Sequence, residues 1–257
     1  MKISPEEIEN QKLTDEHIGS AIEQIRGNGY VLFEEVIEAG LLEELREEFA
    51  ALFLEYISKT EPNRGPNRYQ LHLPFRLPFS HNSVIANPLV LPVITSLLNE
   101  DCICHYFASD TPLPGSEYQR VHMDFQHLFP DLLDQPLPAY GLVLNLPLVD
   151  FTEQNGALEI WPGGSHLIAS GVDIMKQAEK MHSERLLMPA GSLLLRDMRM
   201  WHRGTPNESD EPRPNLAFIY ARHWLRTSYP KIRIAQNIFD GMSEAAQRLF
   251  RVEEIGG

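Results

Sequence analysis

The chain has 257 residues, of which 43% are hydrophobic and 23% charged, a composition typical of a globular protein with a sizeable core. Its 36 acidic and 22 basic side chains give a formal net charge of −14, and such a surface repels nucleic-acid phosphates and anionic lipid head groups. The start of the sequence lacks an apolar signal-peptide core, and no apolar run reaches the roughly 18 to 20 residues that span a bilayer. We therefore expect a cytoplasmic protein that binds neither nucleic acid nor membranes.

The first hundred residues are predicted to be mainly helical. Thr14 is followed by apolar residues at helical spacing, which stop at the turn 27–29. Residues 60–88 are rich in Pro, Asn and Arg, and we interpret them as an ordered loop that covers another part of the molecule as a lid. The other predicted elements of this part are a strand at 30–33 and helices at 38–57 and 88–98.

Short apolar runs separated by Gly, Pro, Asn and Asp follow from residue 102 onward, and eight such runs predict a β-sandwich or barrel. They lie at 102–109, 117–123, 139–148, 156–161, 186–189, 192–196, 199–203 and 214–224. A helix is expected at 238–250, where apolar residues again have helical spacing. Because no polar linker divides the chain, we predict one domain over 1–257. It consists of a helical part with the lid at 1–100, a β core at 101–235 and a C-terminal helix at 236–257.

The segment around residue 122 carries the most informative chemistry. His122 and Asp124 alternate along a predicted strand, so both side chains lie on one face and can share a ligand. A His-x-Asp pair alone is a weak signal, but a later histidine would complete the facial triad that binds Fe(II) and leaves three coordination positions open. Downstream, His202 lies in the run 201–207, and Arg213 follows eleven residues later.

These features occur together with two further motifs, Gly29-Tyr30-Val31-Leu32 near the start and Asn155-Gly156-Ala157-Leu158-x-x-x-Pro162-Gly163-Gly164-Ser165-His166 in the middle. In this order and spacing the sequence resembles the phytanoyl-CoA dioxygenase family of Fe(II)/2-oxoglutarate-dependent oxygenases. The resemblance covers most of the chain and depends on no single motif.

The resemblance implies a mainly β fold with flanking helices, built on a double-stranded β-helix core of the jelly-roll, cupin-like type. It implies that His122, Asp124 and His202 are the iron ligands and that Arg213 binds the distal carboxylate of 2-oxoglutarate. Fe(II), 2-oxoglutarate and O2 would be the cofactors. The expected reaction is hydroxylation of a small organic molecule, such as a secondary metabolite, an amino-acid derivative or a lipid-like acid, with release of succinate and CO2.

The sequence departs from the family pattern near the second histidine. Many relatives have a hydroxyl residue two positions after it, whereas this chain has Gly204 there and Thr205 one position later. Thr205 is therefore a weaker candidate for binding the cosubstrate carboxylate. Asn145 lies about where relatives point a polar side chain at the cosubstrate, and its alternative interpretation is a strand residue that faces solvent.

Several aromatic and basic residues are candidates for substrate contact, the alternative being a loop that only covers the barrel mouth. They are Arg68, Tyr69, His72 and Arg76 in the lid, together with Trp201. Two other functions remain open at the level of sequence. A cupin-type metal hydrolase or isomerase would use the same three ligands to activate water but leaves Arg213 unexplained, and a non-catalytic relative would bind the metal without turnover. The sequence indicates neither the substrate nor the oligomeric state.

Overall fold

The structure, a computed structural model, describes residues 1–129, 137–168 and 171–256. The helices are α1 (Pro5–Asn10), α2 (Asp15–Asn28), α3 (Ala39–Ile57), α4 (Asn82–Ile85), α5 (Leu91–Leu98), α6 (Ile174–Ala178), α7 (Gln236–Asp240) and α8 (Glu244–Phe250). The strands are β1 (Tyr30–Phe33), β2 (Arg68–His72), β3 (Ile103–Pro112), β4 (Gly141–Pro147), β5 (Leu158–Ile160), β6 (Glu184–Leu186), β7 (Leu193–Asp197), β8 (His202–Gly204), β9 (Asn215–Ala221), β10 (Arg233–Ile234) and β11 (Glu254–Ile255).

Local sequence signals set the ends of the helices. Helix α2 begins after Thr14, whose side chain accepts a hydrogen bond from the amide of His17, and it ends at Gly29, which has a positive φ of 90°. The single C-terminal helix expected at 238–250 is instead the two short helices α7 and α8. Ser243 caps the second of these with a hydrogen bond from the amide of Ala246, so the chain restarts a helix there.

The strands form two main sheets. The larger is antiparallel with the order β1-β7-β4-β9-β3-β2, the smaller has the order β6-β5-β8, and β10 pairs with β11 separately. This arrangement agrees with the expected mainly β fold with flanking helices. Helices α2 and α5 pack near β1 and β9, and α8 packs on β3, so elements from both ends of the chain cover the larger sheet.

Strands occur at seven of the eight places that the sequence predicts, and the exception is informative. Residues 117–123 form an extended segment with one isolated bridge, His122 to His202, in place of a regular strand.

The lid prediction also needs correction, because residues 60–88 contain strand β2, which pairs with β3 along its whole length, as well as helix α4. The surrounding Pro, Asn and Arg residues hide this strand from pattern analysis.

The main core lies between the larger sheet and the helices. Alternate residues of β7 divide between two buried clusters, since Leu193 and Leu195 pack with the helices while Leu194 packs with Phe151 and Met200 on the other face. The larger sheet is therefore buried on both faces at its centre. No helix in the described part of the chain is long and apolar enough to cross a bilayer.

We expect Leu195→Ala to lower the free energy of unfolding by about 2–5 kcal/mol, because Leu195 has no exposed surface and its loss leaves a cavity between the sheet and the helices. Leu54→Ala on α3 is the matched control, since Leu54 is 68% exposed and should cost less than about 0.5 kcal/mol. Urea titration followed by circular dichroism measures both values. Equal effects of the two substitutions would contradict the assigned core.

His105 is a buried histidine within β3, next to a β-bulge between Cys104 and Tyr106. Its ring stacks on Tyr229 with the centroids 5.8 Å apart, and neither ring nitrogen has a hydrogen-bond partner among the described residues. Burial, with a smaller contribution from Lys231, lowers the pKa of His105 to about 4. The folded protein therefore keeps this imidazole neutral where the unfolded chain, with an ordinary pKa near 6.5, takes up a proton.

This difference predicts a loss of stability on acidification. Between pH 6.5 and about 4 the unfolded state binds more protons than the folded state, so His105 lowers the unfolding free energy by up to about 1.4 kcal/mol per pH unit as the pH falls. His105→Phe should reduce this slope, as measured by urea titrations at pH 7 and pH 5. His182→Phe, at an exposed position, is the control and should leave the slope unchanged. An identical slope in His105→Phe would disprove the assignment.

Candidate metal centre

Three side chains from two distant stretches of sequence converge at one point. One nitrogen each from His122 and His202 and one oxygen of Asp124 all lie within 4.8 Å of one another, and no other cluster of this kind occurs among the described residues. The His202 Nε2 atom is 3.6 Å from Asp124 Oδ1, and the two imidazole centroids are 4.3 Å apart. These distances suit three ligands on one side of a single ion.

Backbone hydrogen bonds orient both imidazoles. Nδ1 of His122 donates to the carbonyl of Arg120 at 2.8 Å, and Nδ1 of His202 donates to the carbonyl of Met200 at 2.9 Å. With the proton on Nδ1, the lone pair of each ring is on Nε2, where a metal binds. The donor set therefore fits a divalent metal such as Fe(II).

Arg196 lies beside the carboxylate and was not singled out from the sequence. Its Nη1 donates to Asp124 Oδ2 at 2.5 Å, and its Nε donates to Asn145 Oδ1 at 3.1 Å. Asn145 thus faces the interior and not solvent. In the sequence, Arg196 is a charged residue directly after Leu193, Leu194 and Leu195 in a predicted strand. This position alone does not show on which face of the sheet the guanidinium lies.

The electrostatics keep two of the predicted ligands, Asp124 and His202, in the forms that bind metal. Burial raises the pKa of Asp124, but the positive charge of Arg196 and the two imidazoles outweigh burial and hold that pKa well below its usual range. Burial, assisted by Arg196, lowers the pKa of His202 well below its ordinary value. At neutral pH the site therefore presents a carboxylate and a neutral imidazole.

A cavity of about 100 Å³ opens beside the three predicted ligands. Its walls are the inward-facing alternate residues of β3, β4 and β9, because successive side chains of a strand point to opposite faces. Tyr106, Tyr229 and Ile219 give it apolar surface, while Asp110 and Asn215 make one end polar. A second depression, lined by residues that include Arg64, Gln119 and His122, continues from the cavity toward the surface as its mouth.

Arg213, the predicted carboxylate-binding residue, lies at the polar end of this region. It is 1% exposed, its guanidinium lies 4.1 Å from the centre of the Phe151 ring, and its Nη2 is 3.5 Å from Asp110 Oδ2. Burial lowers the pKa of Arg213 to about 9, an effect that Asp110 partly offsets, so the side chain stays charged at neutral pH. Arg213 is not among the residues that line the cavity, but it contacts Asp110, which is.

Several other residues predicted from the sequence to contact cosubstrate or substrate lie away from the cavity. The Thr205 hydroxyl is fully buried and donates to the carbonyl of Ala157 at 2.7 Å, so it is not among the groups that line the cavity. Trp201 and Tyr69 are buried in apolar clusters, and Arg76 pairs with Glu48 on the surface.

Comparison with known proteins places this site in a family. The profile of the family described as Phytanoyl-CoA dioxygenase (PhyH) matches residues 25–215. The chain is 24% identical to "Dioxygenase af480" of Aspergillus fumigatus over 179 residues, which cover 67% of this chain and 55% of that protein. It is 22% identical to "Dioxygenase trt7" of Aspergillus terreus over 227 residues, covering 83% of this chain and 78% of the relative. The chain thus spans about half the length of the first of these relatives.

Solved structures show the same fold at low sequence identity. The crystal structure of EvdMO1 has a TM-score of 0.66 at 18% identity and covers 80% of this chain and 50% of that one. The crystal structure of AviO1 from Streptomyces viridochromogenes has a TM-score of 0.63 at 16% identity and covers 82% of this chain and 97% of that one. These likenesses confirm the jelly-roll core with flanking helices.

The fold and the cluster of two imidazoles and a carboxylate are those of a jelly-roll domain with a candidate metal centre. The family profile matches about three quarters of the length of this chain. The chain therefore belongs to the phytanoyl-CoA dioxygenase family. The family resemblance inferred from the sequence is thereby confirmed.

We expect His202→Ala to weaken Co(II) binding by more than about 100-fold, because one of the three predicted ligands is lost and even changes outside a ligand set cost about 10- to 100-fold. Anaerobic titration followed by the visible Co(II) spectrum measures the affinity. His182→Ala, which removes an exposed histidine outside the cluster, should bind Co(II) like the wild-type protein. Unchanged binding by His202→Ala would remove this residue from the ligand set.

Proposed function

We propose that the chain is an Fe(II)- and 2-oxoglutarate-dependent dioxygenase that hydroxylates a small organic molecule. The single observation that carries this proposal is the convergence of His122, Asp124 and His202 within 4.8 Å, with both imidazoles turned so that Nε2 is free for the metal. Membership of the phytanoyl-CoA dioxygenase family and the names of the two fungal relatives support the same activity.

Bound Fe(II) would supply the activation of O2, coupled to conversion of 2-oxoglutarate to succinate and CO2. His122, Asp124 and His202 would hold that metal next to the cavity. Arg196 fixes Oδ2 of Asp124, so that Oδ1, the oxygen nearer His202, is the one presented to the metal.

The cavity supports a small substrate. The cavity of about 100 Å³ continues into a mouth of about 450 Å³, and together they accommodate a small cosubstrate and a modest organic molecule but no polymer. The apolar walls around Tyr106, Tyr229 and Ile219 exclude water from the open side of the metal, whereas Arg64 and Arg120 give the mouth a positive charge. A substrate with an apolar body and a polar or anionic end fits these surroundings.

The proposal is tested by measuring O2 consumption and succinate formation with added Fe(II) and 2-oxoglutarate. The wild-type protein should show both, and Asp124→Ala should abolish both, because the metal loses its only carboxylate ligand. His182→Ala serves as the control and should retain both. A metal hydrolase or isomerase would consume no O2 and form no succinate, and that result with metal-loaded wild-type protein would rule out the proposal.

A further inference from the structure

A β-bulge in β3 puts an aromatic ring in the cavity wall. In the register of β3 with β9, Cys104 is opposite Tyr220 and Tyr106 is opposite Ile219, so His105 is an extra residue of β3. Bulges of this kind re-aim the side chains of a strand and are common next to active sites. Tyr106 and Ile219 both line the cavity beside the three predicted ligands. Without the extra residue, position 105 would be opposite Ile219 in the place of Tyr106.

Tyr229 adds a second ring and forms an aromatic corner with Tyr106. It also lines the cavity, its ring centroid lies 4.8 Å from that of Tyr106, and the two ring planes are inclined at 55°. The buried His105 ring stacks on Tyr229 with the centroids 5.8 Å apart. Because neither nitrogen of His105 has a hydrogen-bond partner among the described residues, its contribution is packing. The bulge residue thus supports the aromatic corner.

The shape of the aromatic corner favours a flat ring as its occupant. Aromatic rings prefer to meet other rings in offset-stacked or edge-to-face arrangements. A third ring placed in the corner can stack on one tyrosine while it meets the other at an angle. Val143 and Ile219 continue the wall, and the cavity has a volume of only about 100 Å³. This leaves little depth for a branched aliphatic body.

Arg64 lies where the cavity opens into its mouth, since it lines both. Its amide donates to the carbonyl of Arg68, the first residue of β2, at 3.1 Å, so the sheet holds the turn that carries Arg64. Burial raises the pKa of Tyr106 and of Tyr229, and the positive charge of Arg64 opposes this effect at both residues. The guanidinium therefore lies close to the aromatic corner.

The mouth has an excess of positive charge. Its walls, as far as the structure describes them, contain Arg64, Arg68 and Arg120 but one carboxylate, Glu117. Arg68 pairs with Asp110, which leaves two guanidinium groups against Glu117. On a chain with a net charge of −14, such a local excess attracts an anion. Of the two remaining guanidinium groups, that of Arg64 is the one that also reaches the cavity.

We propose that the substrate is an aromatic carboxylic acid, with its ring in the corner between Tyr106 and Tyr229 and its carboxylate on Arg64. The inference rests on the proposed function and names the class of its substrate. A guanidinium suits this task because it can donate two parallel hydrogen bonds to one carboxylate. An aliphatic acid would make no ring contacts in the aromatic corner, and an uncharged aromatic compound would leave Arg64 without an acceptor.

The test uses three probes with one carbon skeleton. They are 3-phenylpropanoate, 3-cyclohexylpropanoate, which keeps the acid but has no flat ring, and 3-phenylpropan-1-ol, which keeps the ring but has no charge. Their affinities are measured by ligand-observed NMR titration of the Zn(II)-loaded protein with excess 2-oxoglutarate, so that no turnover occurs. The wild-type protein should bind 3-phenylpropanoate at least about fivefold more tightly than either other probe.

Substitutions in the aromatic corner test the ring contacts. Tyr106→Leu should abolish the preference for 3-phenylpropanoate over 3-cyclohexylpropanoate, whereas Tyr106→Phe, which keeps the ring, should retain it. Tyr229→Leu should act like Tyr106→Leu, and it decides the question if melting temperatures show that Tyr106→Leu does not fold. Trp224→Leu is the matched control, because Trp224 is 48% exposed and does not line the cavity. It should bind the probes like the wild-type protein.

Substitutions of Arg64 test the carboxylate contact. Arg64→Met should abolish the preference for 3-phenylpropanoate over 3-phenylpropan-1-ol and leave the affinity for the alcohol unchanged. Arg64→Lys, which restores the charge without the planar fork, should recover part of the preference. Arg226→Met removes an exposed arginine that lines neither the cavity nor its mouth, and it should keep both preferences.

The outcomes separate this inference from the proposed function. A wild-type protein that consumes O2 and forms succinate, yet binds the three probes equally or not at all, overturns only the substrate class. Preferences that persist in folded Tyr106→Leu and Arg64→Met also overturn it, since the probes then bind elsewhere. A protein that shows both preferences but neither O2 consumption nor succinate formation overturns the proposed function and supports the ligand class.

Discussion

The pairing of the backbone at His122 with the backbone at His202 is the contact on which the site depends. The two residues exchange hydrogen bonds, with each amide donating to the other's carbonyl at 3.0 Å. This pair lies at the end of β8, and it fixes the spacing of the two imidazoles before any metal is bound. Asp124 is held in turn by the bond from its amide to the Met198 carbonyl and by Arg196. The three predicted ligands are therefore positioned by the fold.

The second constraint is the cost of burying charged side chains, and close ion pairs offset this cost. Arg199 and Asp197 form an almost fully buried ion pair next to β7, and Arg196 pairs with Asp124 at the metal centre. Each pair is balanced, because an unpaired charge in such surroundings would be costly. Among the described residues, the cluster of Arg68, Arg213 and Asp110 differs in having one positive charge without a carboxylate partner. That difference sets the polar end of the cavity apart from a purely structural ion pair.

Much of the fold and the position of the triad could be predicted from the sequence, because both leave local patterns. Helix α2 has its cap and its terminal glycine, and most strands are short apolar runs with clear breaks. Which elements pack or pair with one another in the fold leaves no such local pattern. Strand β2 was interpreted as loop because its neighbours are Pro, Asn and Arg, and Arg196 was missed because strand alternation does not reveal which face meets the cavity. Both features depend on which strands pair across long distances in the sequence.

The N-terminal segment is consequently more than a cover over a β core. Because β2 hydrogen-bonds to β3 along its whole length, Arg68 is placed with the precision of a sheet residue and not of a flexible loop. The glycine in β8 has a matching role, since its missing side chain leaves the space that the guanidinium takes. A substitution at either position changes the surroundings of the other. Arg68, 134 positions before His202, thus contacts Asp110 at the polar end of the cavity, so both halves of the chain contribute to its surroundings.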